Sequence, residues 1–322
     1  MSDNQSRRSW LKSSIALAAG IAAAPLASYA TAPRKYKTIR VIAEDLVIPP
    51  QLPDLRARLL ANENPYGPSP ATMEAIKAAV STGNRYPMSE GMVLSGMIAV
   101  KEGLKTENLL LGPGSTQLLD MAAVEFVRNG KVLTADPTYM SMVESVGNVG
   151  GTSLSVPLTE DGQHDLDAME ALLDDSISMV YIVNPNNPTG TWLTGVELKS
   201  FLAQVPEHVV VVIDEAYAEY ATADAYPGYP DCTQWLTNYP NLLVTRTFSK
   251  IYGLAGLRVG YGVSSPELAD YLNRVRQPFN VNSLALCAAE AALDDVQHVS
   301  QSRQMNQAGM TYLIEECTSR GL

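Results

Sequence analysis

The chain has 322 residues, of which 46% are hydrophobic and 18% are charged. This size and composition exclude a small disulfide-rich module, a disordered acidic tail and a multi-span membrane protein, and they predict about two domains. Acidic residues outnumber basic ones by 34 to 23, giving a formal net charge of −11 that disfavours binding of nucleic acid or anionic lipid. Cys232, Cys287 and Cys317 have no zinc-site spacing, so we expect buried free thiols and no metal site.

Residues 1–32 have the features of an export signal. Arg7-Arg8 precedes Trp10, and the apolar stretch Ile15 to Ala24 follows. That stretch is shorter than the roughly 20 residues that cross a membrane, and Ala30-Thr31-Ala32 has the A-x-A form of a cleavage site. The segment resembles a bacterial twin-arginine signal, although Trp10 stands where Phe is more common. We therefore expect periplasmic localisation, with no membrane attachment after cleavage. An amphipathic helix is the alternative, but the proline after Ala24 would interrupt it.

The rest of the chain divides into three predicted parts. Residues 33–73 are rich in proline and predict an N-terminal arm, or part of the small domain, without long regular elements. Residues 74–292 form the predicted large domain, where β-branched runs alternate with helical stretches from Asn108 onward; this pattern is typical of an α/β fold with a mostly parallel sheet. Residues 293–322 contain a polar helix and predict the start of a smaller α+β domain that is incomplete in this chain.

Individual elements follow from apolar runs and helix caps. Asp165 and Thr194 are suitable N-caps for two helices. The predicted strands are Asn108–Leu111, Met179–Val183, Val209–Ile213, Leu242–Thr247 and Leu257–Val263.

Polar motifs follow three of these strands. Asn184–Gly190 (NPNNPTG) comes after one strand, Asp214–Tyr217 (DEAY) after the next, and Thr247–Lys250 (TFSK) ends a third. Because ligands bind at the carboxyl ends of strands in open α/β sheets, we expect these motifs to share one site. NPNNPTG alone could be a structural turn. A lysine, an aspartate, an asparagine and a tyrosine at one sheet edge are, however, the groups that pyridoxal phosphate requires.

These motifs in this order resemble the fold-type I pyridoxal-phosphate aminotransferases. Arg258, within GLAGLRVGYG, continues the pattern, while RLLANENPYGPSP and NRYP resemble the histidinol-phosphate aminotransferase branch. The resemblance covers Arg58 to Leu322. It implies an aspartate-aminotransferase-like fold, pyridoxal 5'-phosphate as cofactor, and a small-molecule amino donor with a 2-oxo acid acceptor. It also implies a homodimer with shared active sites.

The resemblance assigns roles around the cofactor ring. Lys250 would hold the cofactor aldehyde covalently and then move the proton during transfer. Asp214 would pair with the pyridine nitrogen, and Asn187 and Tyr217 would hydrogen-bond the phenolic oxygen. Tyr139 matches the aromatic residue that stacks on the ring, although an ordinary packed tyrosine is the alternative.

The resemblance also assigns the phosphate site. Arg258 would form a bidentate ion pair, and a glycine turn would present backbone donors where a helix begins. Tyr86 matches a tyrosine that reaches the phosphate of the neighbouring subunit, or else is a packed loop residue. Gln117 departs from the acidic residue that relatives often have. The remaining expected phosphate ligands are Gly114, Ser115, Thr116, Thr247 and Ser249.

One expected residue is missing. Family members bind the substrate carboxylate, or its equivalent, through an arginine in the C-terminal small domain, and we expect this chain to stop before that domain is complete. Either the sequence is a fragment or the protein is defective. A phosphate-amino-acid decarboxylase of the same fold and a non-catalytic cofactor-binding protein remain alternatives, since these motifs do not separate them. Export also fits poorly with histidine biosynthesis, whose intermediates are cytoplasmic.

Overall fold

The structure is a computed structural model that describes residues 59–128, 130–222 and 224–321. The predicted signal at residues 1–32 and most of the predicted arm lie outside the described residues. Within the described part of the chain, no helix is both long enough and apolar enough to cross a membrane.

A seven-stranded sheet organises the described residues, with strand order β1-β7-β6-β5-β4-β2-β3. Strand β7 is antiparallel to both of its neighbours, and the other described strands run in one common direction. The sheet is therefore mostly parallel, which confirms the predicted α/β class. The strands are β1 (Leu109–Gly112), β2 (Lys131–Asp136), β3 (Thr152–Pro157), β4 (Ile177–Val183), β5 (Val210–Asp214), β6 (Leu242–Thr247) and β7 (Gly260–Ser264).

Helices cover both faces of this sheet. Their bounds are α1 (Pro70–Ala79), α2 (Glu90–Glu102), α3 (Ser115–Phe126), α4 (Ser141–Asn148), α5 (Leu166–Glu170), α6 (Gly195–Leu202), α7 (Pro266–Val275), α8 (Ser283–Asp294) and α9 (Val296–Ser319). Apolar residues of α3, α4 and α7 pack on one face, and those of α2, α6 and α8 pack on the other. Strands β4 and β5 are almost wholly buried between these layers, which is why their sequences are apolar without alternation.

The predicted caps are confirmed. The Asp165 side chain accepts a hydrogen bond from the Ala168 backbone, and Thr194 forms a reciprocal capping box with Glu197. The predicted boundary near residue 293 falls where α8 passes into α9, and the division into two domains stays a prediction.

Three expectations were wrong in detail. Strand β7 begins at Gly260 rather than Leu257, because Arg258 has a left-handed backbone (φ 60°) that no strand continues through. Pro70 occupies the first turn of α1, where its missing N–H costs nothing, so the proline-rich arm ends in a regular helix. Of the three cysteines, Cys232 is buried, but Cys287 is half-buried and Cys317 is exposed, since these two lie on the peripheral helices α8 and α9.

Candidate active site

A cavity of about 570 Å³ lies at the carboxyl edge of β4, β5 and β6. It brings together most of the residues that the sequence motifs singled out. Its lining includes Ser115, Thr116, Tyr139, Asn187, Asp214, Tyr217, Thr247, Ser249, Lys250 and Arg258, together with residues 60–63 of the segment before α1.

Lys250 supplies the amine of this cavity. Its Nζ donates a hydrogen bond to the Ala61 carbonyl oxygen at 2.9 Å and lies 5.5 Å from the centre of the Tyr217 ring. Burial lowers the pKa of Lys250, and the charge of Arg258 acts in the same direction, while Glu63 and Asp214 oppose both. A lowered pKa increases the fraction of uncharged amine, which is the form that attacks a carbonyl carbon.

Asp214 is the buried carboxylate, with only 1% of its surface exposed. Thr245 Oγ1 donates to one of its oxygens at 3.0 Å, and the Tyr181 hydroxyl approaches the other at 3.4 Å. Burial raises the pKa of Asp214 to about 6, although these two hydrogen bonds and one from the Ala216 backbone act against that shift. A buried carboxylate with neutral partners favours a cationic ligand group.

Asn187 and Tyr217 present side chains to the same cavity as Lys250. The Asn62 amide nitrogen donates to the Tyr217 hydroxyl at 3.1 Å, and burial raises the pKa of Tyr217. The phenol therefore stays protonated at neutral pH and can donate a hydrogen bond of its own. Tyr139 is half-buried and packs against the apolar cluster beneath it while its other side lines the cavity.

The other end of the cavity suits an anion. Helix α3 begins at Ser115 without a side-chain cap, so its first backbone N–H groups are available. Gly114 has φ 83°, and a Cβ there would lie 2.4 Å from Arg258 Nη2, so the turn requires glycine. Arg258 Nη1 donates to Ser249 Oγ at 3.3 Å, and Thr247 Oγ1 lies 3.0 Å from the same oxygen.

Tyr86 lies apart from this cavity. Its side chain is 73% exposed and stacks on Phe279, with ring centroids 4.8 Å apart. The structure thus brings together every predicted site residue that it describes except Tyr86. Gly114 is not among the residues that line the cavity, but its backbone lies against the Arg258 guanidinium. Gln117 does not line the cavity and instead accepts a hydrogen bond from Asn280 at 2.8 Å.

Sequence reasoning missed four contributors. Tyr181 and Thr245, which hold Asp214, lie inside strands, and Ala61 and Asn62 belong to a segment without regular structure. A tyrosine within the apolar strand MVYIV was the available signal for Tyr181, because a buried hydroxyl needs a partner. The ANEN sequence was noted as a motif, but its residues had no assigned roles.

These residues fit pyridoxal phosphate as a donor set. The uncapped helix, Ser249 and Arg258 suit its phosphate, and the buried Asp214 carboxylate suits a protonated ring nitrogen. Asn187 and Tyr217 can donate to the ring oxygen, and Lys250 offers an amine to the aldehyde. Among the residues that the structure describes, no cluster of His, Cys, Asp and Glu side chains could hold a metal ion.

Comparison with known proteins gives a consistent result. The family "Aminotransferase class I and II" matches residues 57–322. Histidinol-phosphate aminotransferase 1 of Nitrosococcus oceani is 47% identical over 266 residues, which cover 82% of this chain and 71% of that protein. Histidinol-phosphate aminotransferase 2 of Pseudomonas fluorescens Pf-5 is 45% identical over 277 residues, covering 86% and 73% respectively.

A solved structure agrees with these relatives. Histidinol-phosphate aminotransferase from Sinorhizobium meliloti, in complex with pyridoxal-5'-phosphate, is 33% identical to this chain with a TM-score of 0.72. The match covers 77% of this chain and 67% of that one. The sequence motifs, the cavity and the relatives therefore lead to one assignment: this chain belongs to the class I and II aminotransferases and is a pyridoxal-phosphate-dependent transaminase.

Proposed function

We propose that this cavity is the transamination site and that Lys250 is its catalytic lysine. The observation that carries the proposal is the shared cavity of a lysine amine with a lowered pKa and a buried carboxylate, Asp214, whose hydrogen bonds come from neutral groups. Asn187 and Tyr217 line the space beside both, where they can orient the ring oxygen of a bound cofactor.

Each residue then has a defined task. Pyridoxal phosphate, when bound, supplies an electrophilic aldehyde carbon and a ring that withdraws electrons from the substrate's α-carbon. Lys250 would take the proton from that carbon and deliver it to the former aldehyde carbon of the cofactor in the same half-reaction, and would reverse this transfer on the acceptor in the second half. Asp214 keeps the ring nitrogen protonated, while Arg258, Ser249 and the first turn of α3 hold the phosphate. Tyr139 lines the cavity, where it would stack on one face of the cofactor ring.

The donor is an amino acid or an amino-alcohol phosphate such as histidinol phosphate, and the acceptor is a 2-oxo acid. The names of the relatives support histidinol phosphate as the first donor to test. A panel of donors with 2-oxoglutarate, monitored for the new amino acid and for carbon dioxide, tests the proposal. Release of carbon dioxide without amino transfer would instead indicate the decarboxylase alternative.

Lys250→Ala provides the sharpest test of the assigned lysine. Wild-type protein should show a visible absorbance band from the bound cofactor. Borohydride should remove this band and leave the cofactor permanently attached to a peptide that contains Lys250. The variant should lack the reducible band and the activity. Lys199→Ala, which changes a surface lysine over Trp235, is the matched control and should retain both. A reducible protein-linked band in Lys250→Ala would overturn the assignment.

We further propose a homodimer in which Tyr86 reaches the phosphate of the neighbouring site. Tyr86 is exposed and is not among the residues that line its own cavity, which supports this arrangement. In a mixed dimer, one chain with Tyr86→Phe and the other with Arg258→Ala can place both defects in one site and leave the second site intact. Partial recovery of activity on mixing is expected. No recovery after proven subunit exchange would exclude shared sites.

Periplasmic localisation through the twin-arginine route is also a proposal, supported by Arg7-Arg8 and the short apolar stretch that follows. Replacing both arginines by lysine should retain the protein in the cytoplasm. Mass spectrometry of the exported wild-type form should find an N-terminus near residue 33. Periplasmic protein from the double-lysine variant would contradict the route.

A further inference from the structure

Three loops lie side by side at the carboxyl edge of the sheet. Strands β4, β2 and β3 are consecutive in the sheet order, so the loops that follow them are neighbours although they are distant in sequence. The loop after β2 carries Tyr139, and the loop after β4 carries Asn187; both side chains line the candidate active site. The loop after β3 carries His164, a buried residue outside that cavity.

Asn186 joins these loops through its carboxamide. Asn186 is only 3% exposed, and Thr138 Oγ1 donates a hydrogen bond to Asn186 Oδ1 at 2.9 Å. Asn186 Nδ2 donates to the Pro137 carbonyl oxygen at 3.2 Å and to Thr189 Oγ1 at 2.9 Å. His164 Nε2 lies 3.3 Å from Oδ1. A carboxamide has two donor hydrogens and two acceptor sites, so all four positions are used.

The orientation of this carboxamide follows from its partners. The Pro137 carbonyl can only accept a hydrogen bond, so the amide nitrogen must face it and the oxygen must face Thr138 and His164. Burial lowers the pKa of His164 to about 4, so the ring is neutral at pH 7 and has a single N–H. Nδ1 of His164 is buried without a hydrogen-bond partner among the described residues, which is consistent with the hydrogen residing on Nε2.

Asn184, in the same turn, differs from Asn186 because its side chain binds within its own loop. It is fully buried, and its side chain exchanges hydrogen bonds of 2.8 and 3.3 Å with the backbone of Leu193. These side-chain bonds close its own loop and do not reach the loop after β2. Asn186 differs because its side chain crosses to residues that immediately precede Tyr139, while its own backbone continues into Asn187.

We infer that Asn186 is a positioning residue that fixes Tyr139 and Asn187 relative to each other by tying their loops together, with Thr138 as its main partner. The inference rests on the proposed cofactor contacts of Tyr139 and Asn187. Asn186 itself does not line that cavity, so its effect on the cofactor passes through its two neighbours. The hydrogen bond between Asn186 and Thr138, here called the bridge, fixes where Tyr139 would cover the cofactor ring and where Asn187 would donate to the ring oxygen.

Thr138→Val tests the bridge with a change of nearly constant volume. It removes the hydroxyl that donates to Asn186 and leaves the backbone unaltered, whereas Thr138→Ser keeps the hydroxyl. Thr72→Val is the matched control, because Thr72 in α1 is also buried and its hydroxyl accepts a hydrogen bond from Ser69, the N-cap of that helix; neither residue lines the cavity. Each variant is titrated with pyridoxal phosphate, its bound cofactor is followed by visible absorbance from pH 5 to 10, and its unfolding in urea is measured.

Thr138→Val should raise the dissociation constant for pyridoxal phosphate about three- to tenfold and shift the pH midpoint of the absorbance change upward, because a displaced Asn187 supports the ring oxyanion less well. Thr138→Ser should stay within about twofold of wild type in affinity. Thr72→Val should lose stability without altering either cofactor readout. Asn186→Ala should shift both readouts further in the same direction; if it does not fold, Thr138→Val decides.

Unchanged affinity and midpoint in Thr138→Val would overturn the inference, as would equal shifts in Thr72→Val. Failure of the proposed function gives a different result, because wild-type protein would then show no reducible band linked to Lys250. A normal wild-type band with unaffected bridge variants would reject only the role of Asn186.

Discussion

Two pairs of residues near the carboxyl ends of β5 and β6 lie in opposite electrostatic environments. Asp214 and Thr245 meet beside the cofactor cavity, where the carboxylate receives its hydrogen bonds, among the described residues, from uncharged groups. Glu215 and Arg246, one residue further along each chain segment, meet on the other side of the strands in direct ion pairs of 2.7 and 2.9 Å. Consecutive residues of an extended chain point to opposite faces, which separates the two environments.

The second region is a closed network of charges. Arg246 also binds Glu102 at 2.8 Å and Asp231 at 2.9 Å, and Tyr261 donates to Glu102 at 2.8 Å. Glu215 and Glu102 are buried, and the positive charge of Arg246 pairs with the negative charge of each. In the first region, no described residue forms an ion pair with Asp214. The difference indicates that the network joins α2 to the sheet, whereas the charge of Asp214 remains available for a ligand.

Arg246→Met should have the largest effect on folding. It removes the cation that binds the buried Glu215 and leaves Glu102 with its longer ion pair to Lys101 at 3.5 Å. Breaking a buried pair costs about 3–5 kcal/mol in the free energy of unfolding. Urea denaturation measures this loss. Arg274→Met, which breaks an exposed ion pair with Asp270, is the control and should leave stability unchanged. Equal stability of the two variants would show that the buried network contributes nothing.

Among the variants of these two regions, Asp214→Asn should have the largest effect on catalysis. The uncharged amide cannot keep the ring nitrogen protonated, so kcat/KM should fall more than about a hundredfold, equivalent to roughly 3 kcal/mol, while some cofactor binding remains. Glu215→Gln, the same isosteric change one residue away, should destabilise the protein yet leave the turnover of folded molecules nearly intact. Wild-type turnover in Asp214→Asn would refute the role of Asp214.

The pH dependence of stability should reveal the burial of Asp214. Burial raises the pKa of Asp214 from 3.8 to about 6, so the folded state binds this proton more tightly than the unfolded state. The associated stability is present below about pH 4 and is lost as the pH rises through about 6, amounting to roughly 1–3 kcal/mol. Cofactor-free Asp214→Asn should lack this component in calorimetric scans from pH 4 to 8. An identical slope in both proteins would contradict it.

Thr245→Val should have the smallest effect of the series. Loss of one hydroxyl donor to Asp214 should cost about 1 kcal/mol and reduce kcat/KM about three- to tenfold. The pKa of Asp214 should rise further, because its ionised form loses a hydrogen bond. Thr245→Ser keeps the donor and should restore most of the activity. Wild-type activity in Thr245→Val would show that the hydroxyl of Thr245 contributes nothing to the site.

The limits of the sequence are visible within these same strands. The motif DEAY identified Asp214 as a candidate, and the apolar run before it predicted β5, because a strand buried on both faces needs continuous apolar side chains. The neighbouring Glu215 carried no such signal, since its partner Arg246 lies 31 residues away in sequence and Glu102, which shares that arginine, lies 113 residues away. The roles of Tyr181 and Thr245 were missed for the same reason, since Asp214, which both contact, lies 33 and 31 residues away in sequence.

The sequence by itself therefore determined the class of fold, most of the strands around the site and the chemical groups that line it, because periodicity, caps and turn motifs act over a few residues. Only the tertiary structure decided which polar groups become partners. The order β4-β2-β3 placed Asn186 against Thr138 and His164, and the pairing of β5 with β6 placed Thr245 against Asp214. Such contacts depend on strand order and register, which are set by packing of the whole sheet and leave no local trace in the chain.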